Sequence, residues 1–285
     1  MSAPYFMRPG FASHRGAIDE VAMQHWKKLV SVVGVVGLAA AGQLALAHGE
    51  FDEEQLAEFH EHMDDFLGEI EELVADVEAI VGRDRAGKVD VDALIEHWEE
   101  VGVHAVIETR AMVTYPGIWQ GIILLQQAVE AGDSGRIAAA GERLKAALWQ
   151  SFGAVRLAAS QVQSGTAPAI AASEAPASGP ETVARIIADL EQAVAEYRAD
   201  NLAKAEALIH QTYMSRFEGL EGDLIARNPE LVSSLEKDFN ATLPLLMQQG
   251  AGLDQVNRAL KSMKAQLADA SAILESVEAS RSEVF

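Results

Sequence analysis

The sequence predicts an all-α protein: two bundles of about four helices each, joined by an Ala/Ser/Pro linker and preceded by an N-terminal signal peptide. Three observations predict it. No stretch after residue 47 sustains the period-two alternation of a half-buried strand. Ala, Leu, Glu and Gln, all good helix formers, dominate that region. The run Ser164 to Pro180, S-G-T-A-P-A-I-A-A-S-E-A-P-A-S-G-P, is nearly uncharged and rich in chain breakers, as expected of a linker.

The chain divides accordingly. Residues 1–22 read as an extension before an internal start, because Met23 opens a secretory pattern. Residues 23–47 carry Lys27 and Lys28, an apolar run from Leu29 to Leu44 and the small-x-small site Ala45-Leu46-Ala47. Residues 48–163 form the first helical bundle, 164–180 the linker and 181–285 the second bundle. Cleavage after Ala47 makes the product periplasmic; the rival reading is an uncleaved membrane anchor, which Gly residues and Gln43 weaken.

The first helix is expected from Asp52 to Val81, ended by Gly82. The second starts at an Asp90 cap and runs to Val113, broken by Tyr115-Pro116; Pro116 then opens the third, to Ala131. The fourth spans Ser134 to Gln163. Beyond the linker the fifth covers Glu181 to Arg198 and the sixth Leu202 to Arg227. Asn228-Pro229-Glu230 combines a cap, a first-turn proline and a first-turn acid, so the seventh begins there, with a kink expected at Pro244. The eighth runs from Leu253 to Ser280. A shift of 113 positions superposes His97 on His210, Glu108 on Glu221 and Pro116 on Pro229, the trace expected of an internal repeat.

The net charge of −21 excludes general nucleic-acid binding, since phosphates would be repelled; after cleavage 18 basic side chains face 41 acidic ones, a charge of −23. With no cysteine, disulfides, thiolate metal sites and thiol nucleophiles are excluded. No phosphate loop, Gly-x-Ser-x-Gly or His-Glu-x-x-His is present, and no enzyme activity is expected. A ferroxidase of the ferritin type needs Glu-x-x-His on two helices; here the spacing is Glu-x-x-x-His, at Glu100/His104 and Glu206/His210.

Those residues carry the functional expectation. At about 100° per residue, Glu206, Tyr213, Met214, Phe217, Glu221 and Leu224 share the face of His210, with Glu218 at its edge. On the second helix, Leu94, Val101, His104, Glu108 and Tyr115 share the face of His97, with Glu100 at its margin. Ionisable groups in an apolar stripe need a partner, a shifted pKa or a metal. His210 and Glu221 lie about 16 Å apart along an ideal helix and cannot share one ion. The feasible pairs are Glu206 with His210, Glu218 with Glu221, Glu100 with His104, and His104 with Glu108; the first helix adds His60 with Asp64. Each pair supplies two ligands, so a complete site needs a facing helix or a second copy in a homo-oligomer. Carboxylate with imidazole suits a transition metal: iron first, then copper, zinc or manganese. Trp98, Trp119 and Trp149 are expected in the cores.

The segment Y-M-S-R-F-E-G-L-E-G-D-L-I-A-R-N-P-E-L-V-S-S-L-E-K-D-F resembles the extracytoplasmic helical region of bacterial members of the high-affinity iron permease family. The resemblance rests on Tyr213, Phe217, Glu218, Glu221, Asn228-Pro229, Glu236 and Phe239, about thirty residues of the second bundle. R-F-E-G-L-E is also similar to the permease's Arg-Glu-Gly-Leu-Glu iron motif, with Phe217 interposed between Arg216 and Glu218; the permease's membrane helices are absent from the sequence. The resemblance implies a soluble relative or partner of a membrane iron permease, with Glu218 and Glu221 as iron carboxylates. The alternative is an acidic helical adaptor that docks on a transporter and holds no metal, its buried acids paired by Arg216, Arg110 or Lys204.

Overall fold

The structure, a computed structural model, describes residues 58–82, 91–166 and 178–282, all within one compact unit spanning Leu44–Phe285. The expected signal segment, the Asp90 cap and most of the linker lie outside the described residues. Among the described residues every element is helical, and no helix is long and apolar enough to cross a membrane.

Two long helices frame each half. In the first, α1 (Met63–Gly82) packs on α5 (Ser134–Gln163); in the second, α6 (Gly179–Arg198) packs on α11 (Leu253–Ser282). The cause is legible in the apolar spacing. Phe66, Ile70, Leu73, Val77 and Ile80 are buried on α1, and Val183, Ile186, Leu190 and Ala193 on α6. On α11 the buried stripe is Val256, Leu260, Met263, Leu267, Ala270, Leu274 and Val277. Alternating steps of four and three keep each seam facing its partner, as in coiled coils.

Between the long helices lie shorter ones. The first half carries α2 (Val91–Glu100), α3 (Gly102–Arg110) and α4 (Tyr115–Glu130). The second carries α7 (Leu202–Thr212), a π-helical turn (Tyr213–Phe217) and α8 (Glu218–Ile225). It continues with α9 (Pro229–Lys237), a second π-helical turn (Asp238–Thr242) and α10 (Leu243–Gln248). The helix lengths therefore run in the same order in both halves. The hydrophobic core is continuous from Phe59 to Leu274, and α4 packs on the second π turn across the two halves.

Several boundaries follow the expected signals. Asp133 caps α5 by accepting from the backbone N–H of Gly135 at 3.0 Å and of Arg136 at 3.1 Å, while Asn228 caps α9 by accepting from Leu231 N at 3.1 Å. Four departures have physical causes. Among the described residues the first helix opens with a 3-10 turn at Phe59–Glu61 and is regular from Met63; its expected start at Asp52 lies outside them. The expected second helix is broken at Val101, which is extended at φ −79° and ψ 141°; the freed N–H groups of Gly102 and Val103 donate to Glu69 at 3.2 and 2.7 Å. The helix around Pro244 does not stop there: the π turn ends just before Leu243, in the stretch where a proline in a regular helix would lose a bond and clash. Trp149 is 41% exposed, against 1% for Trp98 and 0% for Trp119; it sits beside the buried stripe and meets Phe152 only edge-on at 6.3 Å.

α4 approaches α5 closely enough for backbone contact. A Cβ at Gly121 would stand 2.9 Å from Leu144 Cδ1 and 3.0 Å from its backbone Cα. Gly121→Val should therefore force the two helices apart and lower stability by about 1–3 kcal/mol, read as a drop in the thermal or urea unfolding midpoint.

Candidate functional site

Three glutamates from three helices converge in the core. Glu108 on α3, Glu221 on α8 and Glu236 on α9 are 1%, 0% and 0% exposed, and one carboxylate oxygen of each lies within 4.8 Å of the others. Glu108 comes from the first half of the chain, Glu221 and Glu236 from the second. Glu108 and Glu221 are the residues that the 113-position shift superposes.

Two tyrosines cross between the halves in opposite directions. Tyr213, the first residue of the π turn, donates its hydroxyl to Glu108. Tyr115, the first residue of α4, donates to Glu236 Oε2 at 2.8 Å and meets His104 Nε2 at 2.8 Å. A phenol has one hydrogen, and Tyr115 spends it on Glu236. The imidazole is therefore the donor in the second bond, which places a proton on His104 Nε2. His104 stacks between Trp98, at 4.4 Å between centroids, and Tyr115, at 5.5 Å. Tyr115 in turn lies 6.0 Å from Tyr213 with the rings nearly parallel, and Phe217 and Phe239 close the far side against Tyr213 at 5.9 and 5.8 Å. The carboxylates thus sit inside an aromatic wall that excludes water.

Glu221 is the anomaly of the cluster. Neither of its oxygens has a hydrogen-bond partner. Burial pushes its carboxyl well above the usual range, and repulsion from Glu108, Glu236 and Glu218 pushes it further; the nearby Tyr213 hydroxyl, already donated to Glu108, opposes this weakly. The same dry surroundings raise both phenols well above 10, through burial first and the neighbouring carboxylates second. Glu218, one turn before Glu221 and partly buried, is raised by burial to about 7.

The sequence-predicted residues separate into groups. Glu108 and Glu221 are brought together, and His104 joins them through Tyr115 and Glu236. Glu218 stands beside Glu221 without belonging to the triad. His97 lies elsewhere, with Nδ1 at 2.6 Å from Asp76 and Nε2 at 3.9 Å from Glu72 on α1. Glu100 and Asp64 are exposed, while Glu206, His210 and His60 are partly buried; none belongs to the triad. His210 has its pKa lowered by burial, and the buried Nδ1 atoms of His210 and His60 lack hydrogen-bond partners. Of the cations considered as partners, Arg216 pairs with Asp189 at 2.7 Å and Lys204 with Glu196 at 2.6 Å. Arg110 stacks its guanidinium over Phe59 at 5.5 Å.

Glu236 lay outside the helical-stripe argument, because no imidazole shares its helix; the resemblance alone pointed to it. The two tyrosines fell on the predicted faces, but their role was not readable from spacing. Of the residues that carry the resemblance, Tyr213, Phe217, Glu221, Glu236 and Phe239 all line the cluster.

Chemically, the arrangement is an all-oxygen, anionic pocket in a low-dielectric interior. It can hold a hard cation or, without one, share protons among its carboxyls. The class defined by fold and site is an all-helical protein with a buried carboxylate cluster drawn from three helices. Comparisons with protein-family models, with curated proteins and with solved structures return no match.

The pH dependence of the metal-free protein follows from Glu218 and Glu221. Both have folded pKa values raised above the ordinary value of 4.5, so the folded state holds more protons than the unfolded chain in that window. Their contribution to stability is complete below pH 4.5 and is lost as pH rises, through about 7 for Glu218 and through the raised pKa of Glu221. The unfolding midpoint of metal-free protein should fall between pH 5 and 8, and Glu221→Gln together with Glu218→Gln should flatten that slope.

Proposed function

We propose that this protein binds a transition metal ion, iron foremost, in the Glu108–Glu221–Glu236 cluster, and serves iron uptake outside the cytoplasm in concert with a membrane permease. The observation that carries the reading is Glu221: a fully buried carboxylate with two unpartnered oxygens, facing two more carboxylates. An uncompensated charge there costs several kcal/mol, and a cation bound between the three removes that cost. Three carboxylates with phenol hydroxyls close behind form a hard donor set, which favours iron or manganese over softer ions. The choice of iron, and of a permease as partner, rests on the resemblance of residues 213–239 to the iron permease family. The periplasmic location rests on the secretory pattern of residues 23–47.

A second reading has its own support. Tyr213 and Tyr115 satisfy Glu108 and Glu236, so a protonated Glu221 would complete a purely structural polar core in an adaptor without metal.

The two readings part on a direct measurement. A ligand of the folded state alone stabilises it by about 2.7 kcal/mol at a hundredfold excess over Kd. Purified protein should therefore bind Fe(II) or Fe(III) at about one ion per chain and melt several degrees higher with the metal. Glu221→Gln with Glu236→Gln should abolish both effects while leaving the circular dichroism of the helices intact. Equal melting and equal metal content with and without iron would leave the adaptor reading standing.

A further inference from the structure

A triad exposed by 1% or less poses a transport problem of its own: an ion has to travel between solvent and a dry centre. The start of α8 places a partly buried carboxylate one helical turn from Glu221, directly after the π-helical turn Tyr213–Phe217, a geometry often found at functional sites. Gly219 is exposed, and a Cβ built on it would meet no heavy atom within 4 Å, so the surface beside Glu218 is unfilled. Glu218 itself is partly buried, one helical turn from Glu221, and close enough to repel its charge. Its acidic neighbour Asp223 is engaged by Arg281 at 2.7 Å, and the adjacent cation Arg216 is held by Asp189. Glu218 thus offers a partly buried carboxylate beside an exposed glycine and one helical turn from the triad.

We infer that Glu218 is a vestibule ligand, which receives the cation from solvent and passes it to Glu221, without belonging to the final coordination set. This rests on the metal-binding reading above and adds a kinetic role to it. A negative group beside a buried anionic cluster raises the local cation concentration. Because it acts on passage in both directions, it changes the rates of loading and release together and leaves the equilibrium in place.

The test is stopped-flow loading of the full chain with Fe(II) under anaerobic conditions, followed by intrinsic fluorescence of the aromatic wall, and then release into excess chelator. Glu218→Gln should slow loading and release alike by about tenfold, while equilibrium affinity and stoichiometry stay within about twofold of wild type. Glu218→Asp should restore most of the rate. Wild-type protein that takes up no iron at all would sink the metal-binding reading itself. Normal binding with unchanged rates in Glu218→Gln would overturn the vestibule role alone. A tenfold loss of affinity through faster release would also overturn it, because it would make Glu218 a direct ligand.

Discussion

The structure depends on a single electrostatic constraint: three carboxyl groups from both halves of the chain share one dry space. Isolated, each ionised carboxylate would be driven out of such an interior by its desolvation cost. Here two of them are anchored by phenols that reach across from the opposite half, Tyr213 to Glu108 and Tyr115 to Glu236. The exchange is reciprocal, so neither half completes its own polar groups. Separating the halves would strand two carboxylates and two phenols at once. Hydrophobic packing holds each pair of long helices together and continues across the halves; the tyrosine–glutamate bonds add directional contacts to it.

The irregular backbone lies where that seam requires it. A regular helix from Val91 to Arg110 would carry one continuous face; the break at Val101, held by Glu69, allows α3 to set its own direction and turn Glu108 and His104 inward together. In the second half the π turn at Tyr213 places an extra residue between His210 and Glu221 and displaces the face of one from that of the other. The second π turn follows Glu236 directly, and Asn240 within it donates to the Glu236 carbonyl at 3.0 Å. Three departures from regular geometry thus adjoin the three carboxylates.

This explains what could be read from the residues and what could not. The long helices were legible because their burial repeats every three and four residues, as at Phe66, Ile70, Leu73 and Val77, and nothing interrupts that period. Their caps at Asp133 and Asn228 were legible because capping is local. The pairing of Glu108 with Glu221 was not, since it joins positions far apart in sequence, although each was visible as a charge on an apolar face. Of the stripe through His210, Tyr213, Phe217, Glu221 and Leu224 are buried, while Glu206 and His210, on the far side of the π turn, are only partly so, because 100° per residue does not carry across a widened turn. His97, expected inward, lies instead near Asp76 and Glu72, because α2 ends before the break that redirects α3. Glu236 had no partner signature: it is the buried acid of a helix whose other acid, Glu230, is the exposed first-turn residue expected there.

The likeness of the two halves bears on how such a site arises. Both run through a helix of 20 residues, a bent pair, a helix opened at a proline and a helix of 30 residues. Glu108 and Glu221, related by the 113-position shift, meet face to face near the seam. That arrangement is repulsive in itself and is tolerated only with a counter-ion, a shared proton or donors such as the two phenols. Glu236 has no counterpart acid in the first half, where the shift lands on Ile123. The centre therefore holds the two acids that the 113-position shift aligns together with a third that it does not, and Glu221 is the member whose oxygens find no hydrogen-bond donor.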